Sequence, residues 1–197
     1  MNNGLLTILH RKSATTYLRV VRHVLVMLRV AYAKALNPGA EIPWSTRIGR
    51  GVVIRATDGG TLKLQKHVHL GANSLVVVQG GRLAIGERVF IGPGCTVVAK
   101  KLITIGTSTL IAEHVTIRDH DHRIDLLGPI SETGFQCNPI AIADGVWLGA
   151  KSSVLRGSRI GPGAVVGAHS LVRGDIPANA VAVGVPARVI RVRGQPR

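Results

Sequence analysis

Acidic residues are scarce in this 197-residue chain, which has 10 Asp and Glu against 25 Lys and Arg and a formal net charge of +15. Such an excess of positive charge favours anionic partners: nucleic acid, acidic lipid, an acidic polysaccharide or a phosphorylated cofactor. Nucleic acid is disfavoured, because the sequence has no basic patch interleaved with aromatic residues and no DNA-binding motif. We therefore predict no nucleic-acid partner.

Aromatic residues, cysteines and long apolar runs are also few. Aromatic residues are 3% of the chain whereas glycines number 24, which suits a thin, repetitive β core better than a helical bundle. Cys95 and Cys137 provide neither a disulfide framework nor a metal-binding spacing, and Cys95 is expected to be a small buried filler. No stretch approaches the roughly 18–20 apolar residues of a membrane-spanning helix, and the start, MNNGLLTILHRKS, lacks the cleavage site of a secretory signal. We expect a cytoplasmic protein.

A six-residue repeat dominates the sequence beyond position 47. From Ile142 the hexads are IADGVW, LGAKSS, VLRGSR, IGPGAV, VGAHSL and VRGDIP, and the same frame gives IGERVF, IGPGCT, IGTSTL, IAEHVT and IRDHDH. An aliphatic residue at every sixth position indicates a short strand and a turn, and three hexads would make one triangular coil of a parallel β-helix. A β-sandwich would instead show polar–apolar alternation with loops of varying length. The sequence predicts an all-β solenoid over residues 41–192, followed by a basic tail at 193–197.

Residues 1–40 contain no acidic residue and do not follow the repeat. The segment TTYLRVVRHVLVMLRVAYAKAL predicts a basic amphipathic helix that ends near NPG at 37–39. Its basic side comprises Arg19, Arg22, His23 and Arg29, and its apolar side comprises Leu18, Val21, Leu25, Leu28 and Tyr32. Three roles compete: a cap on the open end of the solenoid, a contact between subunits, and attachment to an anionic membrane. We favour the cap or the subunit contact, with weak peripheral membrane contact as an addition.

The stretch IADGVWLGAKSSVLRGSRIGPGAVVGAHSLVRGDIPANAVAVGVPARVIR resembles the hexapeptide-repeat acyltransferases. Within that family it is most similar to O-acetyltransferases that act on sugars of lipopolysaccharide and capsule, and more distantly to the maltose and galactoside acetyltransferases. The resemblance covers roughly residues 45–192 and is most specific from 140 to 191. It implies a left-handed parallel β-helix, a homotrimer, and acetyl-CoA bound between neighbouring subunits as the acyl donor.

The hexad frame runs through Ile117 and resumes at Ile142, which predicts a protruding loop at about 118–140. Transfer of an acyl group to a sugar hydroxyl needs a base, and a histidine beside a carboxylate suits that role. The family motif places the catalytic histidine at His122, and His120 is the second candidate. Asp119 and Asp121 are both candidates to orient the base. A solvated loop or a metal site is the alternative, but an H-x-H spacing is weak evidence for metal, and we expect none.

The resemblance also implies positions that bind acetyl-CoA. Trp147 occupies the outward-facing sixth position of its hexad, which suggests a covered surface, and in the family a tryptophan here lines the acetyl-CoA tunnel. The other positions assigned to the cofactor are Ala150, Lys151, Ala168, Arg173, Pro186, Ala187, Arg188 and Arg191. In one respect the chain departs from the maltose and galactoside enzymes, which have an acceptor-binding asparagine where this sequence reads IGPGCTVV. Their sugar specificity is therefore not transferred.

Together these features predict an acetyl-CoA-dependent O-acetyltransferase that modifies a sugar hydroxyl of a surface polysaccharide or its precursor. A histidine would act as general base, with no covalent acyl-enzyme, and an acidic acceptor would match the positive charge. The alternatives are an N-acetyltransferase acting on an amino-sugar nucleotide and a non-catalytic hexapeptide-repeat scaffold. The joint presence of His122, Trp147, Arg188 and Arg191 argues against a silent scaffold.

Overall fold

A computed structural model describes residues 3–194, with side chains of the N-terminal helix from Tyr17 onward. Most of the predicted basic tail at 193–197 lies outside these residues. The chain begins with helix α1 (Asn3–Leu36) and continues as short strands. In chain order the strands are β1 (Arg47–Ile48), β2 (Val53–Thr57), β3 (Thr61–Leu64), β4 (His69–Leu70), β5 (Leu75–Gln79), β6 (Arg82–Ile85), β7 (Phe90–Ile91), β8 (Thr96–Ala99), β9 (Leu102–Ile105), β10 (Leu110–Ile111), β11 (Thr116–Arg118), β12 (His120–His122), β13 (Phe135–Cys137), β14 (Ile140–Ile142), β15 (Trp147–Leu148), β16 (Ser153–Leu155), β17 (Arg159–Ile160), β18 (Val165–Val166), β19 (Leu171–Val172), β20 (Asp175–Ile176), β21 (Ala180–Val183) and β22 (Arg188–Val192), with a 3-10 turn at Ile130–Glu132.

Three sheets form the three faces of a parallel solenoid. The first face has the order β1-β4-β7-β10-β15-β18-β21-β22, the second β2-β5-β8-β11-β16-β19, and the third β3-β6-β9-β14-β17-β20. Pairing within the faces is parallel except between β21 and β22, where the chain folds back on itself. We call the turns between the first and second faces the first corner, and those between the second and third faces the second corner. The predicted hexapeptide-repeat solenoid, with its N-terminal helix and protruding loop, is confirmed.

The core is a stack of the aliphatic residues that open the hexads. On the first face Ile91, Ile111 and Leu148 pair in register on consecutive strands and are fully buried. Neighbouring strands lie about 4.8 Å apart, so aliphatic side chains at the same position of consecutive coils contact one another and bury their apolar surface. This contact requires an aliphatic residue at the same position of every hexad. The next hexad position is small because the coils approach closely there: a Cβ on Gly71 would lie 2.4 Å from the carbonyl carbon of Gly92.

The fourth coil is the one that the loop interrupts. The chain leaves the second face after β11 and returns as β14, whose Ile140 pairs with Ile103 of β9 in the coil below. Between them, β12 and β13 form an antiparallel pair outside the solenoid. The break in the hexad frame therefore carries a structured hairpin at the second corner.

The last turns of α1 cover the first coil. Val30 and Ala33 are buried in the same apolar cluster as Ile48. Asn37 closes the end of the helix, because its Nδ2 donates to the carbonyl oxygens of Ala33 at 2.9 Å and of Ile54 at 3.2 Å. No helix in the described part of the chain is long and apolar enough to cross a bilayer.

Candidate active site

The hairpin presents both candidate histidines on one side. In its register His120 pairs with Cys137, Asp121 with Gln136, and His122 with Phe135. Because alternate side chains of a strand point to the same face, His120 and His122 lie together and Asp121 points away. Both imidazole rings contact the ring of Phe135, with centroid distances of 5.4 Å for His120 and 4.4 Å for His122.

Asp119 ties the base of the hairpin to the coil below. Its side chain is fully buried, and its carboxylate accepts hydrogen bonds from the backbone N–H groups of Lys100 at 2.8 Å, Lys101 at 2.7 Å and Leu102 at 2.8 Å. A buried carboxylate is costly unless donors replace its water, and three N–H groups meet that need. The position of the hairpin is thus fixed by the second corner of the third coil.

His120 is held by this same carboxylate. Its Nδ1 lies 3.0 Å from Asp119 Oδ1, and its side chain is only 3% exposed. Asp119 and His120 therefore form a buried pair at the foot of β12, which fixes the start of the strand that presents His122.

His122 differs from His120 in access. Its side chain is exposed, and its ring lies at 40° to the ring of Phe135. Among the residues whose side chains the structure describes, neither ring nitrogen of His122 has a hydrogen-bond partner. Asp121, the second carboxylate predicted to orient a base, instead accepts a hydrogen bond from Nε of Arg156 at 2.8 Å. Of the two carboxylates, Asp119 contacts His120 and Asp121 contacts Arg156, and neither contacts His122.

Phe135 is the residue of this site that sequence reasoning missed. Besides the two imidazoles it contacts Lys100, whose Nζ lies 4.1 Å from the ring centroid, a cation–π contact. Phe135 is one of only two phenylalanines in the chain. Its position in the predicted protruding loop, beside the candidate histidines, was the available signal.

Charged side chains surround the hairpin. Arg123 and Asp125 form an exposed ion pair of 2.9 Å, and the hydrogen bond from Arg123 lowers the pKa of Asp125. Cys137 beside His120 has a raised pKa, first because of its burial and then because of the charge of Asp119.

No group of three His, Cys, Asp or Glu side chains that could hold a metal ion occurs among the described residues.

Four of the predicted cofactor positions, Trp147, Ala150, Lys151 and Ala168, lie at or beside the first corner. Trp147 is 52% exposed on the outer side of the first face, in register with Leu110 and Val165. Ala150 and Ala168 follow in successive coils, and His169 N–H donates to the Ala150 carbonyl at 2.9 Å. The turn is tight enough that Lys151 and His169 have left-handed φ angles of 57° and 58°.

The C-terminal segment folds back onto this corner. Ala187 is buried and its N–H donates to the Leu171 carbonyl at 2.8 Å, while Pro186 is exposed beside it. Arg188 and Arg191 on β22 are exposed, and neither has a carboxylate partner among the residues that the structure describes. Arg173 is also exposed, but it follows β19 and therefore lies at the second corner, on the side of the hairpin.

One copy of the chain keeps the two groups of residues apart. In the fifth coil Ala150 marks the first corner, and Arg156, which binds Asp121, marks the second. The six residue steps from Ala150 to Arg156 would span roughly 20 Å if fully extended. The histidines and the predicted cofactor positions at the first corner therefore lie at opposite edges of the second face, whereas Arg173 lies on the side of the histidines.

A separate cleft of about 520 Å³ opens between α1 and the second face at the first coil, three coils from the hairpin. It has none of the predicted site residues among its lining side chains.

Known proteins resemble the chain as follows. No protein-family model matches it. A probable acetyltransferase of Mycobacterium tuberculosis is 37% identical over 167 residues, which are 84% of this chain and 56% of the relative. The putative colanic acid biosynthesis acetyltransferase WcaF of Escherichia coli is 30% identical over 154 residues, 76% of this chain and 71% of the relative.

A solved galactoside acetyltransferase in complex with coenzyme A superposes with a TM-score of 0.55 at 25% identity, covering 87% of this chain and 79% of that one. The chain spans little more than half the length of the mycobacterial relative, but most of the length of WcaF. The repeat, the solenoid and these relatives agree, and the chain belongs to the hexapeptide-repeat β-helix acetyltransferase family.

Proposed function

We propose that this chain transfers an acetyl group from acetyl-CoA to a hydroxyl of a surface-polysaccharide sugar or its precursor. His122 acts as general base, and no covalent acyl-enzyme forms. The observation that carries this proposal is the exposed imidazole of His122, held outside the solenoid against Phe135 by the β12–β13 pair. Membership of the family supports acetyl transfer as the reaction. Similarity to a putative colanic acid biosynthesis acetyltransferase supports a polysaccharide acceptor, and similarity to a galactoside acetyltransferase in complex with coenzyme A supports acetyl-CoA as the donor.

The reaction needs one proton to move twice. His122 removes the proton of the sugar hydroxyl as its oxygen attacks the thioester carbonyl carbon, and the imidazolium then protonates the departing thiolate of coenzyme A. A positioned base of this kind contributes typically about 10²–10⁴-fold in rate. The exposure of His122, whose ring nitrogens have no partner among the described side chains, suits the role better than the buried ring of His120.

Asp119 and His120 act as positioning residues in this scheme. Their hydrogen bond and the three backbone bonds to Asp119 hold the start of β12. Phe135 supports the ring of His122 from the facing strand. The base therefore stands on a fixed strand rather than on a free loop.

The first corner offers a surface that fits acetyl-CoA. The exposed indole of Trp147 and the small side chains of Ala150 and Ala168 would leave room for the pantetheine arm. Arg188 and Arg191 offer guanidinium groups to the nucleotide phosphates, which arginine binds in a bidentate geometry. Lys151, Pro186 and Ala187 complete the predicted donor site.

A complete site would require a second copy, because the base and the donor positions lie at different corners. In the homotrimer that we propose, the second corner of one subunit meets the first corner of its neighbour. The outward side chains of Phe90, Leu110 and Trp147, each at least 41% exposed, supply an apolar row for such a contact. Arg173, at the second corner, would then face the donor bound to the neighbour.

Two experiments test this proposal. The first is an acceptor panel of neutral and acidic oligosaccharides incubated with acetyl-CoA, in which mass spectrometry detects the gain of one acetyl group. A panel in which no sugar hydroxyl is acetylated, but an amino sugar is, would replace O-transfer by N-transfer.

The second experiment co-expresses His122→Ala with Trp147→Ala/Arg188→Glu and measures transfer at an acetyl-CoA concentration at which neither variant alone is active. If each site combines one subunit's base with its neighbour's donor surface, random co-assembly leaves about a quarter of the sites intact, as expected for a cyclic interface between unlike surfaces. Recovery of about a quarter of the wild-type rate supports the shared site. No recovery from correctly sized mixed oligomers contradicts it.

A further inference from the structure

Helix α1 presents a broad apolar surface that the solenoid does not cover. Over the residues whose side chains are described, from Tyr17 to Leu36, the helix is about 30 Å long at 1.5 Å per residue. The large hydrophobic side chains exposed on it are Tyr17, Leu18, Val20, Val24, Leu25, Leu28, Tyr32 and Leu36. We call these eight side chains the outer face. Exposed apolar surface on this scale marks a site of contact with something else.

The outer face is opposite to the side by which α1 packs on the first coil. Val30 and Ala33 are the buried side chains of the helix. At about 100° per residue, Leu28 lies roughly 160° from Val30 and 140° from Ala33. The helix thus uses a narrow side to cover the coil. Its outer face points away from the protein as far as Leu28, and Tyr32 and Leu36 at its end border the cleft beside the second face.

Basic residues border the outer face on both edges. Arg22 and Arg29 lie on one edge, and His23 and Lys34 on the other. Arg22 and His23 are exposed, whereas Arg29 and Lys34 are half-buried and also donate to backbone carbonyl oxygens of the first coil. No acidic residue precedes Glu41, and Glu41 is bound to Lys63 by a 2.7 Å ion pair. The surface is therefore apolar at its centre and cationic at its edges, with no acidic residue on the helix.

An exposed tryptophan stands beside one edge. Trp44 is 54% exposed, and Nζ of Lys34 lies 5.5 Å from its ring centroid. Tyr17 and Tyr32 on the outer face add two more rings that carry both apolar and polar atoms. Such side chains favour the boundary between hydrocarbon and water, where the ring is buried and the polar atom stays hydrated.

We propose that the outer face docks on the surface of an anionic lipid bilayer, with α1 lying in the plane of the interface. The apolar centre enters the boundary between headgroups and acyl chains, and the basic edges contact acidic headgroups. A second copy of the chain fits this surface less well, because its helix would bring the same cations without any acidic partner. The proposal does not depend on the reaction assigned to the hairpin.

The test is flotation of the full chain with two kinds of vesicle. One kind is pure phosphatidylcholine, and the other contains about one third phosphatidylserine, so that its surface is negative as on an anionic leaflet. We expect binding to the anionic vesicles at least about tenfold stronger than to the neutral ones, falling severalfold when salt rises from about 0.05 to 0.5 M. Leu25→Gln/Leu28→Gln, which leaves the charge unchanged, should weaken binding at least about tenfold.

A matched control removes an exposed hydrophobic side chain elsewhere. Leu127 in the hairpin loop is fully exposed, so Leu127→Gln should bind vesicles like the wild type. Analytical ultracentrifugation of Leu25→Gln/Leu28→Gln completes the test and should give the wild-type mass. A lower oligomeric mass for that variant, or vesicle binding equal to the wild type, overturns the proposal. The first of these outcomes would make the outer face an interface between copies.

Discussion

Replacing Asp119 by alanine should destabilise the protein more than any other single change at the hairpin. The carboxylate is fully buried and accepts three backbone N–H bonds of 2.7–2.8 Å, besides its contact with His120. Each buried donor left without a partner costs about 1–3 kcal/mol. Water entering the vacated space offsets part of this sum, so we expect a loss of about 3–5 kcal/mol in the free energy of unfolding.

Asp119→Asn gives an intermediate case. The amide oxygen of the asparagine can still accept hydrogen bonds, but its amide nitrogen would face backbone N–H groups and the negative charge is lost. We therefore expect the free energy of unfolding to fall by about 2 kcal/mol. Asp121→Ala, two residues further along the chain in β12, is the matched control. Its ion pair with Arg156 is partly exposed, and such pairs are worth at most about 1 kcal/mol.

Equilibrium urea unfolding at one fixed protein concentration measures all three variants, because the stability of the proposed homotrimer would depend on concentration. The expected order of stability is Asp121→Ala, then Asp119→Asn, then Asp119→Ala. If Asp119→Ala and Asp121→Ala unfolded within about 1 kcal/mol of each other, Asp119 would not hold the hairpin to the coil below, and its assignment as a positioning residue would be lost.

Two further predictions concern the donor surface and the coil spacing. Trp147→Ala and Arg188→Glu should raise the apparent KM for acetyl-CoA more than that for the acceptor, and an unchanged acetyl-CoA affinity of Arg188→Glu in calorimetry would remove the phosphate assignment. Gly71→Ala should cost about 3 kcal/mol in urea unfolding, because its Cβ would lie 2.4 Å from backbone of the next coil. Gly39→Ala, where a Cβ meets no atom within 4 Å, is the control and should be close to neutral.

Most of the solenoid could be predicted from the sequence, because the six-residue repeat that builds it is local and periodic. An aliphatic residue such as Ile117 returns every six positions and stacks on its counterpart, so the frame alone locates the strands and the point where they stop. The hairpin beyond that point was not predictable in the same way. Asp119 takes its partners from Lys100 to Leu102, some 17–19 residues back, and no sequence pattern marks such contacts.

The N-terminal helix shows a second limit of sequence patterns. Its amphipathic character was predicted, and its last turns cover the first coil through Val30 and Ala33. An amphipathic helix on the surface of a globular protein usually packs its larger apolar side against the core. Here Leu25 and Leu28 point outward, because only one narrow side of the helix reaches the coil.

The roles of the two histidines form the central claim, and turnover of two variants tests it most directly. With acetyl-CoA and a sugar that the acceptor panel identifies, His122→Ala should lose at least about 10²-fold in kcat, the usual cost of a missing general base. Its oligomeric mass and melting temperature should stay close to those of the wild type, because the His122 ring is exposed. A His122→Ala variant with a near-normal rate, beside an inactive but folded His120→Ala, would contradict the claim and make the buried histidine the base.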